Sequence, residues 1–263
     1  MIDNERIIVS MTSYPKRITN VGKAIFFLLT KQTVKPNEIH LWLAEPEFPN
    51  KEKDLPVDLN NIISASNNVF LHWLPKNIYA HKKHEYFKIC KENDCIFLVD
   101  DDVRYADNLI ATCMNAHKKF PNTIISYNHY SLHKYDGKKI LYIIDDNKSP
   151  KWLNPRYDTM CCTQCMIPAK IYPKECLSPQ NEEIRDKICP LNDEVWFDPF
   201  RVKNNIPIFH LNYNWGIDIS DTIKHSLGLC IYTKTKRDEW LESILNAFPE
   251  IKKIYEDKYG YMK

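Results

Sequence analysis

The chain has 263 residues, of which 44% are hydrophobic and 27% charged, a composition typical of a globular protein with a substantial core. Its net charge of +2 gives no general attraction for nucleic acid, so we expect no nucleic-acid partner. The longest apolar run, residues 24–29, is too short to span a bilayer, and the first residues lack the order of a signal peptide, which predicts a cytoplasmic protein.

The first half of the chain alternates short apolar runs with amphipathic segments. The predicted strands cover residues 7–11, 38–43, 69–74, 95–99 and 123–127, and the predicted helices cover residues 18–31, 82–91 and 108–119. This alternation is typical of an α/β fold with a mostly parallel sheet and helices on both faces. Ligands bind such sheets beyond the carboxyl ends of the strands.

After residue 128 the rhythm changes to that of an α+β extension. We predict a hairpin over residues 131–144 that turns at Asp136-Gly137, a polar loop over 145–158, strands at 163–167 and 206–211, a helix over 192–203, and a final helix over 237–257 interrupted near Pro249. No flexible linker is apparent, so residues 1–263 are predicted to form a single domain.

Cysteine and glycine usage removes several kinds of site. Nine scattered cysteines predict reduced thiols, and Cys162 and Cys165 have only the spacing of half a zinc or redox site, so buried small side chains are the favoured interpretation. The five glycines match neither the dinucleotide-binding fingerprint nor the Walker A loop.

Three consecutive acids, Asp100, Asp101 and Asp102, follow the apolar run at residues 95–99. The pattern predicts a buried parallel strand that delivers carboxylates into a ligand crevice. Mutual repulsion of the acids would be relieved by a divalent cation with a preference for oxygen ligands, Mg²⁺ or Mn²⁺. The alternative is a solvated acidic turn that caps the next helix.

Five segments together resemble bacterial glycosyltransferases of the GT-A fold that make surface polysaccharides such as capsule or O-antigen. They are residues 8–18, 41–45, 82–83, 98–103 and 189–196, and the resemblance covers residues 6–200. It implies a Rossmann-like GT-A domain in which residues 1–128 bind a nucleotide-diphosphate sugar, with a UDP-sugar favoured. Residues 129–263 would bind a glycan or lipid-linked acceptor.

The resemblance also implies a metal-dependent, inverting transfer that uses Mn²⁺ or Mg²⁺. The acidic triplet would be the D-x-D element, with Asp100 facing ribose or metal, Asp101 on the nucleotide side and Asp102 ligating the metal. His225 is the candidate third ligand, and His210 is a weaker one, since a lone histidine is more often structural.

Nucleotide contacts are expected from the segment after the first strand. The resemblance places Thr12, Ser13, Tyr14 and Arg17 around the base and diphosphate, with Tyr14 stacking and Arg17 pairing with phosphate. The alternative is a β-to-α turn in which Arg17 is solvated.

Two lysines form a second candidate contact with the donor. Lys83 is expected to touch the nucleotide or the donor sugar, and Lys82 is an equally plausible occupant by its chemistry alone. A solvated start of a helix is the alternative for both lysines.

An acidic pair, Asp193 and Glu194, precedes an apolar helical segment. In similar enzymes such a pair supplies the general base, and Asp193 is our first choice. The alternative is helix capping, with Asn192 or Asp193 as the cap.

Two other function classes stay open on the sequence alone. A phosphatase of the D-x-D-x-T type fits poorly because Arg104 stands where a hydroxyl is needed. A non-catalytic nucleotide-binding scaffold is the other alternative.

The final helix carries lysines among its apolar positions, so peripheral contact with the inner membrane is considered, although packing on the protein's own core is favoured.

Overall fold

A computed structural model describes residues 5–127, 131–135, 140–144, 159–160, 164–211, 216–218 and 236–259. The strands are β1 Arg6–Thr12, β2 Glu38–Ala44, β3 Val69–Leu74, β4 Asp94–Val99, β5 Val103–Tyr105, β6 Ile124–Ser126, β7 Ser131–Tyr135, β8 Ile140–Ile144, β9 Thr159–Met160, β10 Cys165–Pro168, β11 Ile208–His210 and β12 Gly216–Asp218. The helices are α1 Ile18–Thr30, α2 Val57–Ala65, α3 Leu109–Lys119, α4 Pro179–Ile188, α5 Asp193–Lys203, α6 Arg237–Ala247 and α7 Pro249–Tyr259.

Seven strands form the central sheet in the order β11-β6-β10-β4-β1-β2-β3. Only β10 runs antiparallel to its neighbours within this sheet, which confirms the predicted α/β fold with a mostly parallel sheet. The chain steps from β1 to β2 and β3 on one side, whereas β4 pairs on the other side of β1. The order of strands therefore reverses between β1 and β4, and open α/β sheets bind ligands in a crevice at such a point, beyond the carboxyl ends of the strands.

Helices cover both faces of the sheet, as predicted. One core cluster joins the sheet to α1, α2 and α3, and the other joins it to α5, α6, α7 and a 3-10 segment, Tyr79–Lys88. Alternate residues of β4 point into the two clusters, so that Leu98 enters one and Phe97 the other. Because both faces are buried, β4 is apolar after its first residue and shows no polar alternation.

The second half of the chain follows the prediction in outline. The hairpin is confirmed, since β7 and β8 pair antiparallel. Its turn at Asp136-Gly137 and the loop over 145–158 lie outside the described residues. The predicted strands over 163–167 and 206–211 are found as Cys165–Pro168 and Ile208–His210.

The predicted helix over residues 82–91 is wrong in position and type. The segment is the 3-10 helix Tyr79–Lys88, and residues 81–87 are all buried. Its backbone is held against β1, because the Ser10 hydroxyl donates to the Lys83 carbonyl over 2.6 Å. A segment enclosed on several sides has no solvent face, so the amphipathic pattern was misleading here.

The C-terminal helices pack on the protein's own core. The predicted interruption is confirmed, because α6 ends at Ala247 and α7 begins at Pro249. Leu241, Ile244 and Ile251 are buried in the cluster that also contains α5. None of the described helices combines the length and apolar character that crossing a membrane requires. Peripheral membrane contact stays a prediction.

We expect Ile244→Ala to lower the free energy of unfolding by about 2–5 kcal/mol, because a fully buried side chain would leave a cavity between α6 and the core. Val57→Ala, at a position that is 75% exposed, should change it by no more than about 0.5 kcal/mol. Urea unfolding of both variants provides the measurement. Equal effects would mean that the C-terminal helices do not belong to the cooperative core.

Candidate active site

The three aspartates lie at the carboxyl end of β4, beside the point where the strand order reverses. Asp100 and Asp102 are partly exposed, whereas Asp101 between them is only 4% exposed. The triplet therefore leaves its first and third carboxylates partly exposed and keeps the second inside. A solvated acidic turn does not describe it.

Asp101 anchors the triplet to the loop after β1. The Ser13 hydroxyl donates to Asp101 over 2.5 Å, and the Arg17 guanidinium pairs with both Asp101 and Asp102. Burial raises the pKa of Asp101, although Arg17 and Ser13 act in the opposite direction. The predicted alternative of a solvated Arg17 is wrong, since its side chain is 16% exposed and doubly paired.

The remaining residues of the loop frame the same corner of the crevice. The Thr12 hydroxyl donates to the Trp42 carbonyl over 2.8 Å, which fixes the end of β1 against β2. Tyr14 is partly exposed, and burial raises the pKa of its phenol. The loop thus combines a fixed backbone with an accessible aromatic ring.

Lys83 connects the triplet to the acidic pair. Its ammonium lies 3.4 Å from Asp100 and 3.3 Å from Asp193, and the side chain is 3% exposed. Burial acts to lower the pKa of Lys83, but Asp193 and Asp100 together raise it above its ordinary value. The lysine is therefore a buried cation between two carboxylates, and the alternative of a solvated lysine is wrong.

Lys82 is buried as well and serves a different contact. Its ammonium lies 2.8 Å from Glu47 and donates to the Ser13 carbonyl over 3.2 Å. Burial lowers the pKa of Lys82, against the opposing effect of Glu47. The two adjacent lysines thus diverge, with Lys82 directed to the loop after β1 and Lys83 directed to the acids.

The acidic pair occupies the first turn of α5. Asn192 is the N-cap, because its side chain accepts from the Val195 amide over 2.8 Å. Capping of α5 is thereby accounted for by Asn192, and both acids are available for other contacts. Asp193 pairs with Lys83, and Glu194 lies 3.3 Å from the guanidinium of Arg237 at the start of α6.

The two acids differ in how suitable they are as a base. Burial acts to raise the pKa of Asp193, but Lys83 and the hydrogen bond from His84 hold it well below its ordinary range. A carboxylate so stabilised in its charged form is a poor proton acceptor. The environment therefore argues against Asp193, the first choice on the sequence, as the base.

A buried chain of hydrogen bonds, here called the His84 relay, holds the Asp193 carboxylate in place, and no sequence pattern indicated it. The His84 Nε2 lies 3.2 Å from Asp193, and its Nδ1 lies 3.0 Å from the Tyr172 hydroxyl. Burial lowers the pKa of His84, so the neutral ring donates from Nε2 to the carboxylate and accepts from Tyr172 at Nδ1. The Cys176 thiol donates in turn to the Tyr172 oxygen over 3.3 Å.

Asp100 has two further partners that the sequence did not identify. The Gln164 side-chain amide donates to the Asp100 carboxylate over 2.5 Å. The Asp100 backbone amide donates to the Tyr105 hydroxyl over 2.7 Å. Gln164 directly precedes β10, the antiparallel neighbour of β4. This contact depends on strand pairing that no local signal predicts.

Of the other candidate histidine ligands, only His210 lies within the described residues. His225 and Cys162 fall outside the described residues. His210 is buried on β11, which two strands separate from β4, so it lies about 14 Å from the triplet across the sheet. Cysteines present as thiols in the described part of the chain are Cys90, Cys95, Cys113, Cys165, Cys176 and Cys189.

Comparison with known proteins identifies a shared fold. No protein-family model matches the chain, and no curated protein matches it. The structure of residues 1–349 of TarS from S. aureus in complex with UDP aligns with a TM-score of 0.55 and 12% identity, over 96% of this chain and 70% of that one. A second TarS structure, described as residues 1–349, aligns with a TM-score of 0.52 and 12% identity, over 96% and 72%. The likeness is consistent with a GT-A-like fold.

We expect Asp193→Asn to lower the free energy of unfolding by about 3–5 kcal/mol at pH 7, because Lys83 would lose a buried counter-charge. The folded-state pKa of Asp193 is depressed, so its contribution to stability is complete above about pH 4 and declines as the pH falls further. The difference from wild type, measured by urea unfolding, should therefore shrink in acid.

Asp107→Asn is the matched control, since Asp107 pairs with Arg104 at the surface and the two side chains are 52% and 42% exposed. We expect it to cost less than about 1 kcal/mol. A deficit of Asp193→Asn that stays constant with falling pH would contradict the buried ion pair.

Proposed function

We propose that this protein is a metal-dependent, inverting glycosyltransferase that moves a sugar from a nucleotide-diphosphate sugar to a hydroxyl of a glycan or lipid-linked acceptor. The observation that carries the proposal is the buried bridge from Asp100 through Lys83 to Asp193. It holds the acids that follow β4 and the acids at the start of α5 side by side. A transferase needs donor and acceptor chemistry side by side in this way.

The shared fold supports a nucleotide donor. TarS is a staphylococcal wall teichoic acid glycosyltransferase, and one of the matched TarS structures is a complex with UDP. The order of strands in this chain opens a crevice at the ends of β1 and β4, where folds of this kind bind nucleotides. A UDP-sugar is therefore the favoured donor.

The outward carboxylates suit a hard divalent cation. Asp100 and Asp102 are both partly exposed, and Mg²⁺ or Mn²⁺ bound beside phosphates takes one or two protein carboxylates. Such an ion would neutralise the charge that develops on the leaving diphosphate. We propose His225 as a third ligand. The Asp101 carboxylate is engaged by Ser13 and Arg17, so Asp101 would hold the triplet in place without contacting the ion.

The loop after β1 would bind the nucleotide. Tyr14 offers an accessible ring for stacking on a base. Arg17 already lies beside Asp102, so its guanidinium can pair with a diphosphate at the same corner. Thr12 and Ser13 hold the loop in place through their hydrogen bonds to Trp42 and Asp101.

The transfer itself would be a direct displacement. Glu194 accepts the proton of the acceptor hydroxyl as the acceptor oxygen bonds to the anomeric carbon, and the bond from that carbon to the diphosphate oxygen breaks. The leaving nucleoside diphosphate keeps the electron pair. Lys83 keeps Asp193 ionised and fixed, so Asp193 positions the start of α5 beside the triplet.

We expect Asp102→Ala to reduce UDP affinity in Mn²⁺ by at least about tenfold and to leave the affinity without metal nearly unchanged, because a ligand of the bridging ion is lost. Calorimetry with UDP, with and without Mn²⁺, provides the measurement. Asp107→Ala is the control, since Asp107 is 52% exposed and pairs with Arg104.

Wild-type protein that binds UDP equally well with and without Mn²⁺ would contradict the metal dependence. Binding of a nucleotide without any sugar transfer would indicate a scaffold. Hydrolysis of a phosphomonoester would indicate the phosphatase.

We expect Glu194→Gln to lower turnover by about a hundredfold or more and to leave UDP binding nearly intact, as the loss of a general base predicts. Release of nucleoside diphosphate from a panel of nucleotide-sugars with glycan acceptors provides the measurement. Glu183→Gln, on the exposed face of α4, is the matched control.

Two results would overturn the assignment of the base. If folded Asp193→Asn loses turnover while Glu194→Gln keeps it, Asp193 is the base. If both variants remain active, the acidic pair only stabilises the start of α5.

A further inference from the structure

A cluster of three metal-ligating side chains lies near the amino-terminal ends of β1 and β4, whereas the crevice lies at their carboxyl ends. Cys95 is the second residue of β4, Glu5 directly precedes β1, and His117 lies in the last turn of α3. Five residues of extended strand separate Cys95 from Asp100, a distance of about 16 Å. The cluster is therefore separate from the candidate active site.

The three side chains converge on a small volume. One carboxylate oxygen, the thiol sulfur and one imidazole nitrogen all lie within 4.8 Å of one another. The His117 Nε2 and the Glu5 Oε1 are 2.9 Å apart. Tetrahedral Zn²⁺ would place such neighbouring ligand atoms about 3.3–3.7 Å apart, so only small shifts are needed to enclose an ion.

The surroundings of the cluster suit a bound metal ion. Cys95 and His117 are almost fully buried, and the Glu5 side chain, at 17% exposure, leaves an approach from solvent. The other nitrogen of His117, Nδ1, is buried and has no hydrogen-bond partner among the described residues. Glu5 is thus the hydrogen-bonding partner that the described structure gives this buried imidazole.

The donor set also selects the class of metal. A thiolate, an imidazole and a carboxylate are typical ligands of Zn²⁺, whereas Mg²⁺ and Mn²⁺ prefer oxygen ligands such as the carboxylates of Asp100 and Asp102. The two sites would therefore hold different ions.

We propose that Glu5, Cys95 and His117 bind a Zn²⁺ ion, with water as the fourth ligand. Burial raises the pKa of the Cys95 thiol to about 12, helped by Glu5 and Asp94, so the thiol is protonated without metal. Binding forms the bond from sulfur to zinc and releases the thiol proton to solvent. The ion would tie the starts of β1 and β4 to the end of α3 and so brace the strands that carry the crevice.

Titration of the full chain with Co²⁺ tests the site, because a cobalt–thiolate bond gives a charge-transfer band in the near ultraviolet. We expect the band to appear at one equivalent, to be displaced by Zn²⁺, and to be absent in Cys95→Ser. Cys90→Ser, at a more accessible thiol, should retain the band.

Glu5→Gln tests the site with less risk to the core, because Glu5 is partly exposed. We expect it to weaken Co²⁺ binding by at least about tenfold while the far-ultraviolet spectrum stays that of wild type. A wild-type protein without the band, or a band that persists in Cys95→Ser, would overturn the proposal. Neither result bears on the function proposed for the crevice.

Discussion

The buried ammonium of Lys83 is the constraint on which the candidate site depends. Removing a charge from water costs several kcal/mol, and here Asp100 and Asp193, which both face the lysine, offset that cost. Since Asp100 directly follows β4 and Asp193 begins α5, the position of each element is coupled to the other. The His84 relay and the Asn192 cap then fix the start of α5 from its other sides. The relative position of β4 and α5 therefore depends on the ion pairs of this one buried cation.

A second consequence concerns the acidic triplet itself. On sequence grounds, repulsion among three aspartates called for a metal. In the structure each aspartate already has a cationic partner, because Arg17 pairs with Asp101 and Asp102 and Lys83 pairs with Asp100. Relief of repulsion therefore no longer argues for an ion. The proposal of a metal depends instead on the outward orientation of the first and third carboxylates and on the charge that a leaving diphosphate would develop.

The sequence predicted those features whose signal is local. Continuous apolar runs marked the buried strands, and the acids after β4 marked the crevice. Helix α2 escaped notice although Leu59, Ile62 and Ile63 lie at helical spacing and pack on the core, because nine residues give too short a pattern to identify a helix. Burial of Lys83 and the contact between Gln164 and Asp100 also escaped notice, since both arise from packing of segments that are distant in the chain. The ion pair that stabilises the charged form of Asp193 depends on the same packing.

A crystal structure of the protein with UDP and Mn²⁺ tests the central claim most directly, because the anomalous signal of manganese locates the ion independently of any assumed pose. The account predicts one manganese peak within coordination distance of Asp100 and Asp102, with the diphosphate between it and the loop that carries Ser13 and Arg17. Manganese or UDP bound away from the ends of β1 and β4 would contradict it.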